Sequence, residues 1–106
     1  DGIRYAVMEV AGDMKAVMTM LGQLTRDPEN PTLAVLGTRD GGGKLIVAST
    51  EGSIVADKHN ATEILAAIAG HIDGGGGGRP TMAQGGGSNP DGIPAALDAA
   101  RDLLGL

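Results

Sequence analysis

The sequence predicts a mixed α/β (α+β) fold: a small mixed sheet covered by helices, with a glycine-rich loop before the C-terminal helix. Three observations carry that expectation. Runs of β-forming residues occur at 3–10, 32–38 and 45–48; apolar residues recur at helical spacing after Asp13, Asn60 and Pro94; and eight of the chain's 19 glycines fall between residues 73 and 87. At 106 residues the chain can bury one modest core and not two, so a single domain over 1–106 is expected. Its first residue is Asp1 rather than Met, which leads us to expect a piece of a longer protein.

Residues 3–10 (Ile-Arg-Tyr-Ala-Val-Met-Glu-Val) read as a strand that ends at Ala11-Gly12. Asp13 stands where a helix cap belongs. Met14, Val17, Met18, Leu21 and Leu24 then share one face, until Asp27-Pro28 and Asn30-Pro31 stop the helix. The methionines there, Met14, Met18 and Met20, read first as core filling and second as an adaptable groove. Leu33 to Leu36 and Leu45 to Ala48 are continuous apolar runs across a glycine turn, as in a hairpin of buried strands. Gly41-Gly42-Gly43-Lys44 is not a phosphate-binding P-loop, because Leu45 replaces the required hydroxyl residue and a strand follows instead of a helix.

Ile54-Val55-Ala56 is expected to be a short edge strand. Asn60 and Glu63 have the spacing of a cap and a returning carboxylate, and Ala61, Ile64, Leu65, Ile68 and Ile72 continue as a helical face whose last turn Gly70 weakens. His59 and His71 read as helix-terminal or solvated histidines. Residues 81–85 are expected to add a strand starting at Pro80. After the turn Asn89-Pro90-Asp91-Gly92, the stripe Ile93, Ala96, Leu97, Ala100 and Leu104 predicts a last helix closed by Gly105.

Composition narrows the function. A net charge of −5 argues against a sequence-independent nucleic-acid coat, and a single aromatic, Tyr5, argues against stacking several unpaired bases. An RNA partner would have to be met locally, by backbone or shape. The chain has no cysteine and only two histidines, so no metal is implied. No run approaches the about 20 apolar residues of a membrane span, and the amino end lacks a signal pattern, so a soluble, cytoplasmic chain without a membrane partner is expected. Ser49, Ser53 and Ser88 have no base and orienting acid in sequence context, and no catalytic residue is expected.

The glycine segment at 73–87 is the candidate site. A flexible linker would be Gly/Ser-rich throughout, whereas Arg79, Pro80, Met82 and Gln84 interrupt this run. Successive amides of Gly74, Gly75, Gly76, Gly77 and Gly78 are expected to form an anion-binding nest, with the Arg79 guanidinium beside it and Gln84, Gly85 and Gly86 completing the loop. Arg79 could meet a phosphate or brace the loop against a carboxylate such as Asp73. Gln84 could read a sugar or base edge or tie down the loop's own carbonyls. A dinucleotide fingerprint fails, since a helix precedes the run and Arg79 stands where the third glycine would be.

The stretch Gly-Gly-Gly-Arg-Pro-Thr-Met-Ala-Gln-Gly-Gly-Gly at 76–87 resembles the glycine signature near the carboxyl end of alanyl-tRNA synthetases, in their DHH-associated C-Ala domain. The order of elements is similar over essentially the whole chain. Related phosphoesterases carry a motif like Gly-Gly-Gly-His there, so Arg79-Pro80 and Met82-Ala83-Gln84 favour the synthetase branch; long alanyl-tRNA editing proteins have a similar tail. Gly75 stands where family members often carry a cation, and Asn60 where a histidine commonly opens the second helix. The resemblance implies a non-catalytic accessory domain that binds the outer corner of alanine tRNA and supports homodimerisation, joined to the rest of a synthetase chain. The domain would need no cofactor, while the parent enzyme would use ATP and Mg. The alternatives are a dimerisation module, or the substrate-binding domain of an editing protein or phosphoesterase.

Overall fold

The computed structural model describes residues 2–106, and Asp1 lies outside them. The elements run β1 (Arg4–Glu9), α1 (Met14–Thr25), β2 (Thr32–Arg39), β3 (Gly43–Ser49), α2 (Ile54–Lys58), α3 (Ala61–Ile68), β4 (Gly74–Arg79), β5 (Met82–Gly87) and α4 (Ile93–Leu104). The strands form one five-stranded sheet in the order β1-β2-β3-β5-β4. Only β1 and β2 pair in parallel, and α1 is the crossover that a parallel pair requires.

Helix α1 starts where Asp13 accepts a bond from the Ala16 amide at 2.9 Å. It packs on β2 and β3, where Val17 and Leu21 meet Ala34, Leu36, Ile46 and Ala48. On the other face Leu33, Val35, Leu45, Val47 and Ala83 are sealed by Val55 of α2, Ile64, Leu65 and Ile68 of α3, and Ile93 and Leu97 of α4. The apolar runs read in the sequence are therefore buried on both faces over β2 and β3, while β5 and β4 are covered on one face only.

Three elements differ from expectation. The glycine segment is not a loop: it is the antiparallel hairpin β4–β5, turning at Pro80 and Thr81, so Pro80 lies in the turn and β5 starts at Met82. Glycine disfavours strands because it offers no side chain to pack and loses more backbone freedom, but here an existing sheet edge supplies the hydrogen-bonding template. Ile54 to Ala56 is helical rather than a strand. Ser53 caps α2 by accepting from the Val55 amide at 3.3 Å, and Val55 is fully buried against the core, which outweighs its β-branched preference. Finally, α3 stops at Ile68 and continues as a 3-10 turn over Ala69–Ile72, closed by Asp73 in a left-handed conformation with φ 54°.

The capping reading of Asn60 holds on its first half: its Oδ1 accepts from the amides of Thr62 (2.9 Å) and Glu63 (3.2 Å). The Glu63 carboxylate does not return to the cap among the described residues, and the free amide of Ala61 donates to the Pro80 carbonyl at 2.8 Å, tying the start of α3 to the glycine hairpin's turn.

Candidate functional site

The turn of the glycine hairpin is held from three sides. Besides the Ala61 amide, Thr62 Oγ1 donates to the Arg79 carbonyl (3.1 Å), and the Ser49 amide donates to the Thr81 carbonyl (3.0 Å). Thr81 Oγ1 donates to Glu51 at 3.1 Å. Arg79 thus projects from a fixed backbone rather than from a mobile loop.

Register divides the glycines into two sets. Gly74, Gly76 and Gly78 pair with Gly87, Gly85 and Ala83, and Ala83 faces the α3–α4 side. A Cβ on any of the three would lie against a carbonyl oxygen of β5, those of Gly86, Gln84 and Met82 respectively. Glycine is required there by the close approach of the strands. Gly75 and Gly77 pair with Gly86 and Gln84, in line with Lys44 and Ile46 of β3, and so face the α1 side. A Cβ on either would have nothing within 4 Å. Packing within the chain does not ask for glycine at those two positions.

This open face has a composition of its own. Gly75, Gly77, Arg79 and Gln84 are exposed, and Lys44 stands across from Gly86. Lys44 Nζ would come within 3.0 Å of a Cβ on Gly86, so the lysine stem lies over that glycine. Met14, Lys44, Gly75, Gln84 and Gly86 border a shallow groove of about 390 Å³. Sequence reasoning set Lys44 aside together with the P-loop. Leu45 to Ala48 are apolar throughout, so the sequence carried no alternation to say which face Lys44 takes; the register with β5 settles it.

The predicted nest requires a correction. In an extended strand successive amides point to opposite edges, so those of Gly74 to Gly78 do not converge on one anion. The proposed brace to Asp73 is also replaced: the carboxylate beside Arg79 is Glu51, with Nη2 3.9 Å from Oε1 and both side chains about 70% exposed (72% and 68%). A pair so exposed is worth little, and leaves the guanidinium free to meet a partner. The Gln84 side chain has no hydrogen-bond partner among the described residues and does not tie down a carbonyl of the hairpin. Gly85 stays close to β4, a Cβ there standing 2.7 Å from the Gly75 carbonyl oxygen.

Elsewhere, Ser49 Oγ is buried and has no hydrogen-bond partner among the described residues, but register turns it with Leu45 and Val47 away from the open face. His59 Nε2 lies 3.2 Å from the Tyr5 hydroxyl, and burial, with the Lys58 charge second, holds its imidazole below the ordinary value. Among the described residues no group of three or more His, Asp or Glu is placed to hold a metal ion.

The DHHA1 domain family matches residues 2–106. The chain belongs to that family. Within it, this DHHA1 domain is 40% identical over 104 residues to an alanine–tRNA ligase of Pediococcus pentosaceus, a match that spans 98% of the chain and 12% of the ligase. It is 44% identical over 81 residues to the corresponding ligase of Methanothrix thermoacetophila, spanning 76% of the chain and 9% of the relative. The chain thus covers about an eighth or less of these relatives' length. The crystal structure of the C-Ala domain from Aquifex aeolicus alanyl-tRNA synthetase superposes with a TM-score of 0.71 at 28% identity, covering 96% of this chain and 89% of that one. The resemblance carried by residues 76–87 therefore extends over the whole DHHA1 domain, including the mixed sheet and its helical layers.

Proposed function

We propose that this DHHA1 domain is a non-catalytic accessory part of a longer, cytoplasmic alanyl-tRNA synthetase, and that it binds alanine tRNA by the open face of the glycine hairpin. The observation that supports this is the pair Gly75 and Gly77, exposed and with nothing within 4 Å of a Cβ. Glycine in a strand costs about 0.5–1 kcal/mol relative to alanine, and nothing inside the chain repays it at these positions. A sheet surface without side chains lets a large, rigid partner reach the peptide groups. Arg79 and Lys44 stand at its two ends as donors for phosphate. Two local cations also fit a chain whose net charge of −5 would repel RNA elsewhere. The domain needs no cofactor for this role, and ATP and Mg would serve the parent enzyme's chemistry. Among the described residues no helix is long and apolar enough to cross a membrane.

The test is a salt titration of alanine tRNA binding. Arg79→Ala should flatten the log–log salt dependence by about one unit of slope, and Arg79→Lys should keep most of the affinity. Unchanged affinity and slope in Arg79→Ala and Lys44→Ala alike would remove this face from consideration.

A second reading rests on β4 being the last strand of the sheet, with one side unpaired by any other strand and no proline within it. A second copy could add there and extend the sheet. That reading expects a mass that rises with protein concentration and is indifferent to RNA.

A further inference from the structure

A cleft of about 450 Å³ lies where the C-terminal half of α1 meets the ends of β3 and β5. It is distinct from the groove at Lys44, and of the residues assigned above to tRNA only Arg79 reaches it. Its walls are of three kinds. Leu21, Ala48 and Met82 make an apolar floor; Arg26, at the end of α1, and Arg79, at the end of β4, supply two guanidinium groups; Thr50 and Glu51 supply oxygens. Arg26 has no hydrogen bond or ion pair among the described residues, and Arg79 has only the loose contact with Glu51.

Gly22 adds an independent observation. It lies inside α1 and lines the cleft, it is exposed, and a Cβ there would have nothing within 4 Å. A glycine in a helix interior weakens the helix, and no neighbour within the chain requires it. It leaves the wall of the cleft open along the helix backbone.

We propose that this cleft is a binding subsite for a nucleotide, its flat ring lying against the Leu21–Met82 floor beside Gly22 and its phosphate between Arg26 and Arg79. Each part of the site matches one part of the ligand. The thioether of Met82 and the Leu21 side chain suit a planar, polarisable ring. Two planar guanidinium forks suit a phosphate. The Glu51 carboxylate can accept from ribose hydroxyls, with Thr81 already donating to it from the side. Inorganic phosphate would leave the floor unused, and an apolar ligand would leave both arginines unused. The volume falls in the range of small-ligand sites. The nucleotide could be free in solution or an unpaired one of an RNA chain, and both present this chemistry.

The experiment titrates the isolated chain with adenosine monophosphate, adenosine and inorganic phosphate separately, following backbone amide shifts. We expect the monophosphate to move the amides of Gly22, Glu51 and Met82 with a Kd on the order of 1 mM or tighter. Adenosine and phosphate alone should each bind at least about tenfold more weakly. Gly22→Leu should weaken the monophosphate about tenfold or more while leaving the melting temperature unchanged or raised, because leucine is the better helix former. Arg26→Gln should erase the advantage of the monophosphate over adenosine. In a parallel arm with alanine tRNA, weakening by Gly22→Leu assigns the subsite to an unpaired nucleotide of the RNA, and no effect assigns it to a free nucleotide. This arm can fail through the tRNA reading alone without touching the first. Phosphate matching the monophosphate, shifts confined to other residues, or full binding by folded Gly22→Leu would each overturn the proposal.

Discussion

The two faces of the sheet are built on different terms. On the side of α2, α3 and α4, helices cover the sheet out to β4, against which α3 packs, and the core residues Leu33, Leu45, Val47 and Ala83 are fully buried. On the side of α1, one helix covers β2 and β3, its cluster takes in Met82 at the start of β5, and Gly75, Gly77 and Gln84 stay exposed. The same hairpin therefore serves both faces, with Gly74, Gly76 and Gly78 required by close strand approach and Gly75 and Gly77 left in the open. Glycine in one short run thus has two physical causes, and only the first belongs to folding.

The sharpest way to break this comparison is to put the same side chain into both sets. Gly76→Val places its Cβ against the Gln84 carbonyl, backbone that cannot move aside without opening the β4–β5 pairing. We expect a loss of about 2 kcal/mol, as in overpacked cores. Gly77→Val meets nothing and gains β propensity, so its stability should stay within about 0.5 kcal/mol of wild type or rise. Its alanine tRNA affinity should nevertheless fall about tenfold. Urea midpoints for both variants and a binding titration for Gly77→Val decide it. Equal stability losses would mean that the two sets do not differ.

This division explains what was readable in advance. Strands β1, β2 and β3, the Asp13 and Asn60 caps, the stripe of α4 and its Gly105 stop were legible because apolar period, cap chemistry and burial agree there. Strand β5 was legible over 81–85, but β4 and its pairing with β5 were not, because that pairing is written in backbone, and a residue without a side chain carries no period. Alternation between required and free glycines exists only once the partner strand is known. Ile54 to Ala56 failed for the opposite reason: the β-branched pair gave a strand signal that the Ser53 cap and the burial of Val55 overrode. Arg79 was legible as the site's cation, whereas Lys44 and Arg26 needed the sheet order to bring them to the same face.

A smaller effect probes the closed face at its rim. Asn60 caps α3 through two amides, and α3 in turn holds the hairpin turn by way of Ala61 and Thr62. Asn60→Ala should cost about 1 kcal/mol. Amide exchange should quicken at Thr62 and Glu63, whose protons the cap accepts, and not at Gly77. Faster exchange at Gly77 with no change in α3 would place the hairpin's support elsewhere.

The smallest effect is a pH dependence at the corner where the closed face ends. His59 follows α2, shares a hydrogen bond with Tyr5 of β1, and has its imidazole held below the ordinary value, first by burial and then by the Lys58 charge. The sign follows from which state takes up the proton. As pH falls through about 6.5 the unfolded chain protonates this histidine while the folded chain resists, so the unfolded state binds more protons and stability drops. Above that range the contribution is fully present, and below the folded value the decline levels off. His59→Gln removes the titration while keeping a polar group near Tyr5. Wild type should therefore lose more of its urea midpoint than the variant between about pH 7.5 and pH 5.5, before carboxylates begin to titrate. Parallel profiles would show that the corner between Tyr5 and His59 is open to water, and that the closed face is sealed only over α3 and α4.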